Sequence, residues 1–367
     1  MLNIDRRLIT HFEWPLLILV FLIMTCGLLT ILSATYVAGR AVSPYVIRQA
    51  AWFGIGLIFM LAVLTIDYRL LDRYGDLAYL GALALLLLVP LIGTTGGGAR
   101  RWIGFGPVAL QPSEFMKIGL VIALARRLHR RASESRLLLR HLIGPALLMV
   151  IPAYLVLAQP DLGTAIVLGL GGLTILLLAG MPVRLVLIGV VVVAAAVPYA
   201  WEHLKPYQRQ RITSYLNPQA DPLGAGYHAN QSQIAIGSGM VAGKGYLHGT
   251  QNQLNFLPEQ HTDFIFSVYA EEWGFVGTAT LLLLYTALIT RGALIAIRAR
   301  DNLGGLIAAG LTGAVFWQVA VNIGMTSGVL PVVGITLPFL SYGGSSVLAL
   351  MISIGLIMNI SMRRYTF

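Results

Sequence analysis

PLLILVFLIMTCGLLTILS, residues 15–33, runs for nineteen residues without one charged side chain. A helix of that length matches the hydrocarbon core of a bilayer, which takes about 20 apolar residues to cross. Further runs of the same kind follow, so the segment reads as a first membrane span and no cleaved signal peptide is needed. Working outward, comparable runs fall at about 46–66, 75–93, 113–128, 142–158, 162–180, 184–200, 264–290, 303–325 and 342–361. The breaks at Gln159-Pro160-Asp161 and Gly180-Met181-Pro182 both carry Pro, which favours three helices over two long ones between 142 and 200. The expected fold is therefore all-α: a polytopic membrane protein with ten transmembrane helices, residues 1–367 forming one domain.

Composition agrees. The chain is 57% hydrophobic and only 11% charged, where soluble domains average about 25% charged residues. Its mean hydropathy is +0.78. So few charges cannot cover a surface of this size in water, and lipid must solvate most of the perimeter. The net charge of +10 is spread between apolar runs rather than gathered in a stripe. That is a topology signal and not a nucleic-acid footprint. The lone Cys26 excludes an internal disulfide and a thiolate metal site.

Orientation follows from Lys and Arg. With the N-terminus inside, 16 of the 25 basic residues fall on the cytoplasmic side, six of them between Arg126 and Arg140. Both termini are then cytoplasmic, and the one sizeable loop, about 201–263 between helices seven and eight, faces outward. The other nine are Arg40, Arg48, Arg100, Arg101, Lys117, Lys205, Arg209, Arg211 and Lys244. The positive-inside rule does not explain them. Four outward segments, 94–117, 159–164, 201–263 and 326–346, are polar and marked by Gly and Pro, and their convergence on one face predicts a site there.

Ionisable groups at the ends of spans are costly to bury and are functional candidates. Glu114 and Lys117 are three residues apart and share a helix face. They read equally as a self-neutralising pair or as a source of positive charge for an anionic substrate. Asp263 opens the eighth run. An acid there caps a helix and complements its dipole, but an interfacial carboxylate facing cationic loops also suits proton abstraction from a hydroxyl beside a lipid-linked phosphate. Glu271 and Glu272 lie two turns deeper, where they pair within the bundle or mark a polar cavity. The Gly-rich stretches 96–98 and 237–245 lack phosphate-loop spacing; there the backbone is expected to approach a ligand or the membrane surface. His248 and His261 are too poorly partnered to predict a metal site.

Five motifs in order, QPSEFMK, QPDLGT, DPLGAGYHANQSQIAIGSGMVAGKG, LPEQHTDFIFSVYAEEWGFVG and LPVVGITLPFLSYGGSS, resemble the SEDS family of bacterial cell-wall proteins, and specifically its elongation branch. The resemblance covers nearly the whole chain. One departure is Gly237-Ser238-Gly239-Met240, where relatives read GSGG. The resemblance implies ten transmembrane helices in the bacterial inner membrane. It also implies an inverting glycosyltransferase that polymerises lipid II into β-1,4 glycan on the outer face and releases undecaprenyl pyrophosphate. It assigns Asp263 as general base. Glu114, Lys117, Arg101 and Trp102 match family motifs at the substrate site, and Arg48, Arg209, Arg211 and Lys244 add positive charge for the leaving pyrophosphate. A divalent cation, Mg2+ or Mn2+, is compatible with this set, with no organic cofactor. The implied partners are lipid II and undecaprenyl-linked glycan, membrane lipids, the elongation machinery and a class B penicillin-binding protein, with no nucleic acid. That protein's single span is expected on spans eight and nine, whose small residues Gly274, Gly277, Gly304, Gly305 and Gly310 permit close approach. The rival readings are a lipid II flippase, which usually shows two related halves where this chain shows no repeat, and a non-catalytic scaffold.

Overall fold

The computed structural model describes residues 12–36, 42–96, 99–105, 108–130, 139–203, 209, 213, 215, 225–253 and 259–364. In chain order the helices are α1 (Trp14–Ala34), α2 (Pro44–Thr65), α3 (Leu70–Ile92), α4 (Pro112–His129), α5 (Leu139–Ala158), α6 (Leu162–Leu178) and α7 (Val183–His203), then α8 (Ala225–Ser238), α9 (Thr250–Gln253), α10 (Ile265–Ile297), α11 (Asn302–Thr326) and α12 (Gly344–Met362). A helix lies at each of the ten apolar runs. Among the described residues seven of them, in α1, α2, α3, α5, α10, α11 and α12, are long and apolar enough to cross a membrane. The chain is a multi-pass membrane protein. The helix α4 carries Glu114, Lys117, Arg126 and Arg127 within its 18 residues, which is why it reads as less apolar.

Two of the outward segments carry regular structure that the sequence reading did not assign. The 94–110 segment is a small antiparallel sheet, β1 (Thr94–Gly96), β2 (Ala99–Phe105) and β3 (Val108–Leu110), in the order β1-β2-β3. Thr94 pairs with Trp102 and Ile103 with Leu110. Within the 201–263 segment lie α8 and α9, and α8 packs on α10 and α11. Its Ser232 is fully buried, with its hydroxyl 2.6 Å from that of Ser267 and donating to the Thr326 carbonyl.

The helix α12 is the enclosed one, buried along almost its whole length and packed on α2, α4, α10 and α11. By contrast α2, α3 and α5 present Ile58, Leu77, Leu91 and Tyr154 outward. Lipid offers no hydrophobic drive between helices, so close packing and polar ties must hold them. Of the glycines expected on an outer docking face, Gly304 and Gly310 are used for packing against neighbouring helices. A Cβ on Gly310 would stand 2.6 Å from Ile175, and one on Gly304 3.1 Å from both Tyr68 and Ile360. Gly305 faces the Ala296 carbonyl, Gly277 the Trp273 side chain, and Gly274 the Gly239 and Val241 carbonyls. At the basic end the ties are polar. Asp72 accepts from Arg130, Glu13 pairs with Arg291 at 2.7 Å, and the Tyr68 hydroxyl donates to Asp301 at 2.6 Å.

The helix α10 has 33 residues, longer than a bilayer core requires, and is broken at Gly274 (φ 63°, ψ −160°). The break is mended by the 239–245 segment. Phe275 N–H donates to the Met240 carbonyl (2.8 Å) and Val276 N–H to Val241 (3.1 Å), while Lys244 and Gly245 N–H donate to the Glu271 and Glu272 carbonyls at 3.0 Å. Backbone groups freed by a kink in lipid or in a protein interior need such partners. The glycines at 237–245 were expected to approach a ligand or membrane surface; the segment 239–245 meets another stretch of backbone instead.

Candidate functional site

The site is organised by residues 331–346, which run without regular structure from 331 to 343 and then enter the first turn of α12. Neutral amides hold this segment. On α11, Asn322 and Gln318 lie one turn apart and share a face. The Asn322 side-chain amide donates to the Asp263 carbonyl (3.0 Å) and the Ile335 carbonyl (2.5 Å). The Gln318 amide donates to the Thr336 carbonyl at 3.0 Å. On α2, buried Gln49 donates to the Ser341 carbonyl and accepts from Gly343 N–H, both at 3.1 Å. The segment grips the turn before α10 in return: Ser341 Oγ donates to the Thr262 carbonyl (2.6 Å) and Tyr342 N–H to the His261 carbonyl (2.9 Å). Phe339, at φ 62° without being glycine, marks local strain of the kind that persists where the surroundings impose it.

Asp263 sits in that turn, partly exposed, just ahead of α10. The N-cap position itself is taken by Phe264, which makes no side-chain cap bond. Gly334 (φ 72°) faces it, and a Cβ there would stand 3.2 Å from Asp263 Oδ2. Only glycine both adopts this backbone readily and leaves room beside the carboxylate. Beside the turn, Tyr45, His261 and Tyr342 form an aromatic cluster, with His261 4.6 Å from Tyr45 and 5.9 Å from Tyr342 between ring centroids. Burial lowers the His261 pKa, opposed by Glu259, which favours a neutral imidazole near pH 7. Arg48 is exposed one turn along α2 from Tyr45, on the same face.

The second half of the site is cationic. Lys117 Nζ lies 2.8 Å from Glu114 and 3.0 Å from Gln318 Oε1, with both charged side chains largely buried. Gln318 thus touches Lys117 with its oxygen and Thr336 with its nitrogen, so Lys117 and Asp263 are tied to one segment from two sides. Neighbouring Gln111 donates to Asp161 Oδ2 at 3.1 Å, and Asp161 caps α6 through Thr164 N–H. Burial pushes the Asp161 carboxyl upward, opposed first by the Arg101 guanidinium. Arg101 itself donates to the Gln159 carbonyl at 3.0 Å and to the Pro160 carbonyl. Trp102 stands beside it on β2.

Lys244 lies elsewhere, 2.6 Å from the fully buried Glu271 and 2.7 Å from Thr250. Glu272 accepts from Ser33. These two acids pair around the α10 break, as one of the two readings expected. Arg209 donates to the Glu202 carbonyl at 2.6 Å and stands over the Trp201 ring. Arg211 falls outside the described residues. Sequence reading overlooked Gln49, Gln318 and Asn322, although a polar residue inside a span is itself a signal.

The FTSW_RODA_SPOVE model, described as cell cycle protein, matches residues 13–366. The chain is 44% identical over 356 residues to the peptidoglycan glycosyltransferase MrdB of Escherichia coli K12, covering 96% of this chain and 94% of that one. It is 33% identical to the peptidoglycan glycosyltransferase RodA of Treponema pallidum, covering 98% and 99%. Among solved structures, the rod shape determining protein RodA of Thermus thermophilus matches with a TM-score of 0.73 at 32% identity, covering 97% and 98%. A chain from work on the structural coordination of polymerization and crosslinking by a peptidoglycan synthase complex matches with a TM-score of 0.83 at 36% identity, covering 97% and 99%.

Proposed function

The chain belongs to the FtsW, RodA and SpoVE family of cell cycle proteins and is a peptidoglycan glycosyltransferase; we propose that it polymerises lipid II at the outer face of the bacterial inner membrane, with Asp263 as general base. The observation that carries this reading is the Asp263 carboxylate beside Gly334, on a turn locked to the 331–346 segment that Gln318 ties to Lys117. Ten spans, both termini cytoplasmic and an outward 201–263 loop are part of the same reading, supported by the basic-residue asymmetry.

In the reaction, the sugar 4-hydroxyl of the acceptor lipid II attacks the anomeric carbon of the donor. Asp263 takes the hydroxyl proton as the new C–O bond forms, a role worth about 10²–10⁴-fold in rate. The bond from the anomeric carbon to the pyrophosphate oxygen breaks, and undecaprenyl pyrophosphate leaves carrying the electron pair. Attack opposite the leaving group inverts the centre, turning an α-linked donor into a β-1,4 bond. Lys117 stabilises the growing charge, in a largely buried setting where electrostatics are stronger than in water; Arg48 and Arg101 flank the approach. Among the described residues no group of three or more His, Cys, Asp or Glu is placed to hold a metal ion; of this site's residues, Asp263 is the one that would hold Mg2+ or Mn2+. Bound so, the ion would neutralise phosphate charge. Partnership with a class B penicillin-binding protein is supported by the synthase-complex relative.

Asp263→Asn tests the assignment, since it keeps shape and hydrogen-bonding capacity but removes the base. Purified variant should fold normally while polymerisation of purified lipid II falls at least about 10²-fold. Near-normal polymerisation by folded Asp263→Asn would overturn the role, and a parent that moves lipid II across vesicles without polymerising it would favour the flippase.

A further inference from the structure

Gln318 is a neutral amide on α11 that nothing in the glycosyl transfer itself requires. Yet it is 2% exposed, and each end of its amide is spent on a different half of the site. Its oxygen accepts from Lys117 Nζ at 3.0 Å, and its nitrogen donates to the Thr336 carbonyl at 3.0 Å and to the Thr336 hydroxyl at 3.3 Å. Lys117 has three N–H donors. Gln318 takes one of them, and Glu114 pairs with the ammonium at 2.8 Å, so Nζ is held between the two. Thr336 is two residues from Gly334, the residue against Asp263, and its hydroxyl is 3.4 Å from that of Ser346 at the start of α12.

One turn further on, Asn322 holds Ile335 and Asp263 by their carbonyls. The same helix face therefore carries two amides, and between them they set the spacing from the ammonium to the carboxylate.

We propose that Gln318 is a positioning residue that holds the Lys117 ammonium in register with the Asp263 segment, so that leaving-group charge and general base act on one donor–acceptor pair. This rests on the reading of Lys117 and Asp263 given above. Its action is through Lys117 and it touches no reacting atom. An ammonium held in place ahead of reaction stabilises developing charge without reorganising, which acts on turnover more than on substrate binding.

The test is a double-mutant cycle on lipid II polymerisation by the purified full-length protein, with kcat and KM measured separately. Gln318→Met keeps length and approximate volume but removes both hydrogen bonds. It should lower kcat by about tenfold or more with KM within about threefold. In a Lys117→Ala background the same change should cost less than about twofold further, because the ammonium it positions is gone. An equal loss in both backgrounds would make Gln318 a structural residue and overturn the proposal, as would unchanged kcat in the parent. If Gln318→Met does not fold, Gln318→Asn carries the same cycle: it is polar but one methylene too short to reach both partners. The Asp263→Asn assay is separate, so an active Asp263→Asn would remove the general base while the Lys117–Gln318 coupling still stands or falls on the cycle.

Discussion

Gly274→Ala should damage the protein far more than the exposure of its neighbours Trp273, Phe275 and Val276 suggests, because Gly274 itself is buried. The residue sits at φ 63° and ψ −160°, a region that is essentially glycine's alone and costs another residue about 1–3 kcal/mol. A Cβ would stand 2.7 Å from both the Gly239 and Val241 carbonyl oxygens, and backbone cannot swing aside as a side chain can. If the 239–245 segment retreats, four backbone hydrogen bonds to α10 go with it, each worth about 1 kcal/mol net. Some of these survive relaxation, so the total is about 3–5 kcal/mol. Lys244 then leaves Glu271, fully buried, without its cation. Thermal unfolding in detergent should show a clear loss, and limited proteolysis should open the 239–245 segment first. The control is Gly237→Ala: within α8 a Cβ at Gly237 meets nothing within 4 Å, and alanine favours a helix by up to about 1 kcal/mol. If Gly274→Ala melts with the parent and Gly237→Ala does not rank above it, the account of the mended break is wrong.

Lys117→Ala should lower stability as well as activity, since losing one partner of a buried pair costs about 3–5 kcal/mol; Glu114→Ala/Lys117→Ala should regain much of the stability but little polymerase activity. Full activity in that double variant would make Lys117 a structural partner alone. Burial holds the His261 pKa below the ordinary 6.5, so its contribution to stability is full above 6.5 and is lost as pH falls toward the depressed folded value. His261→Phe should flatten that acid limb in a pH series of melting curves, and an unchanged limb would refute the assignment. For topology, single cysteines at His248 and Arg300, both exposed, in a Cys26→Ser background should react with an impermeant reagent from opposite sides; labelling of both from outside would end the ten-span reading.

The spans were legible because lipid demands long uncharged runs and nothing else produces them so cheaply in sequence terms. Asp263 stood out in the sequence because an acid at the edge of such a run needs a reason. Gln318, Asn322 and Gln49 did not, since a neutral amide barely interrupts a hydropathy profile although its hydrogen bonds decide where Asp263 sits. The sheet at 94–110 was missed although Gly97-Gly98 and Gly106-Pro107 punctuate segments short enough for hairpins. The pairing of Lys244 with Glu271, across 27 positions, and the inward use of Gly304 and Gly310 depend on which helix lies opposite, and no local pattern encodes that.

Asp263 is held by chain from both ends of the protein. Its turn hangs on Ser341 and Tyr342, the Ser341 carbonyl and Gly343 N–H hang on Gln49, and Gly27 of α1 lies hard against Phe339 and Leu340. Partners separated by nearly 300 residues cannot meet until the last helix has been made and inserted. An unfinished or clipped chain ending before Ser341 would still carry Asp263 and the Asn322 bond to its carbonyl, yet lose the Ser341 and Tyr342 bonds that hold its turn. If Asp263 is the base, such a chain should hold the acid without its geometry, and activity should appear only after the last helix has packed.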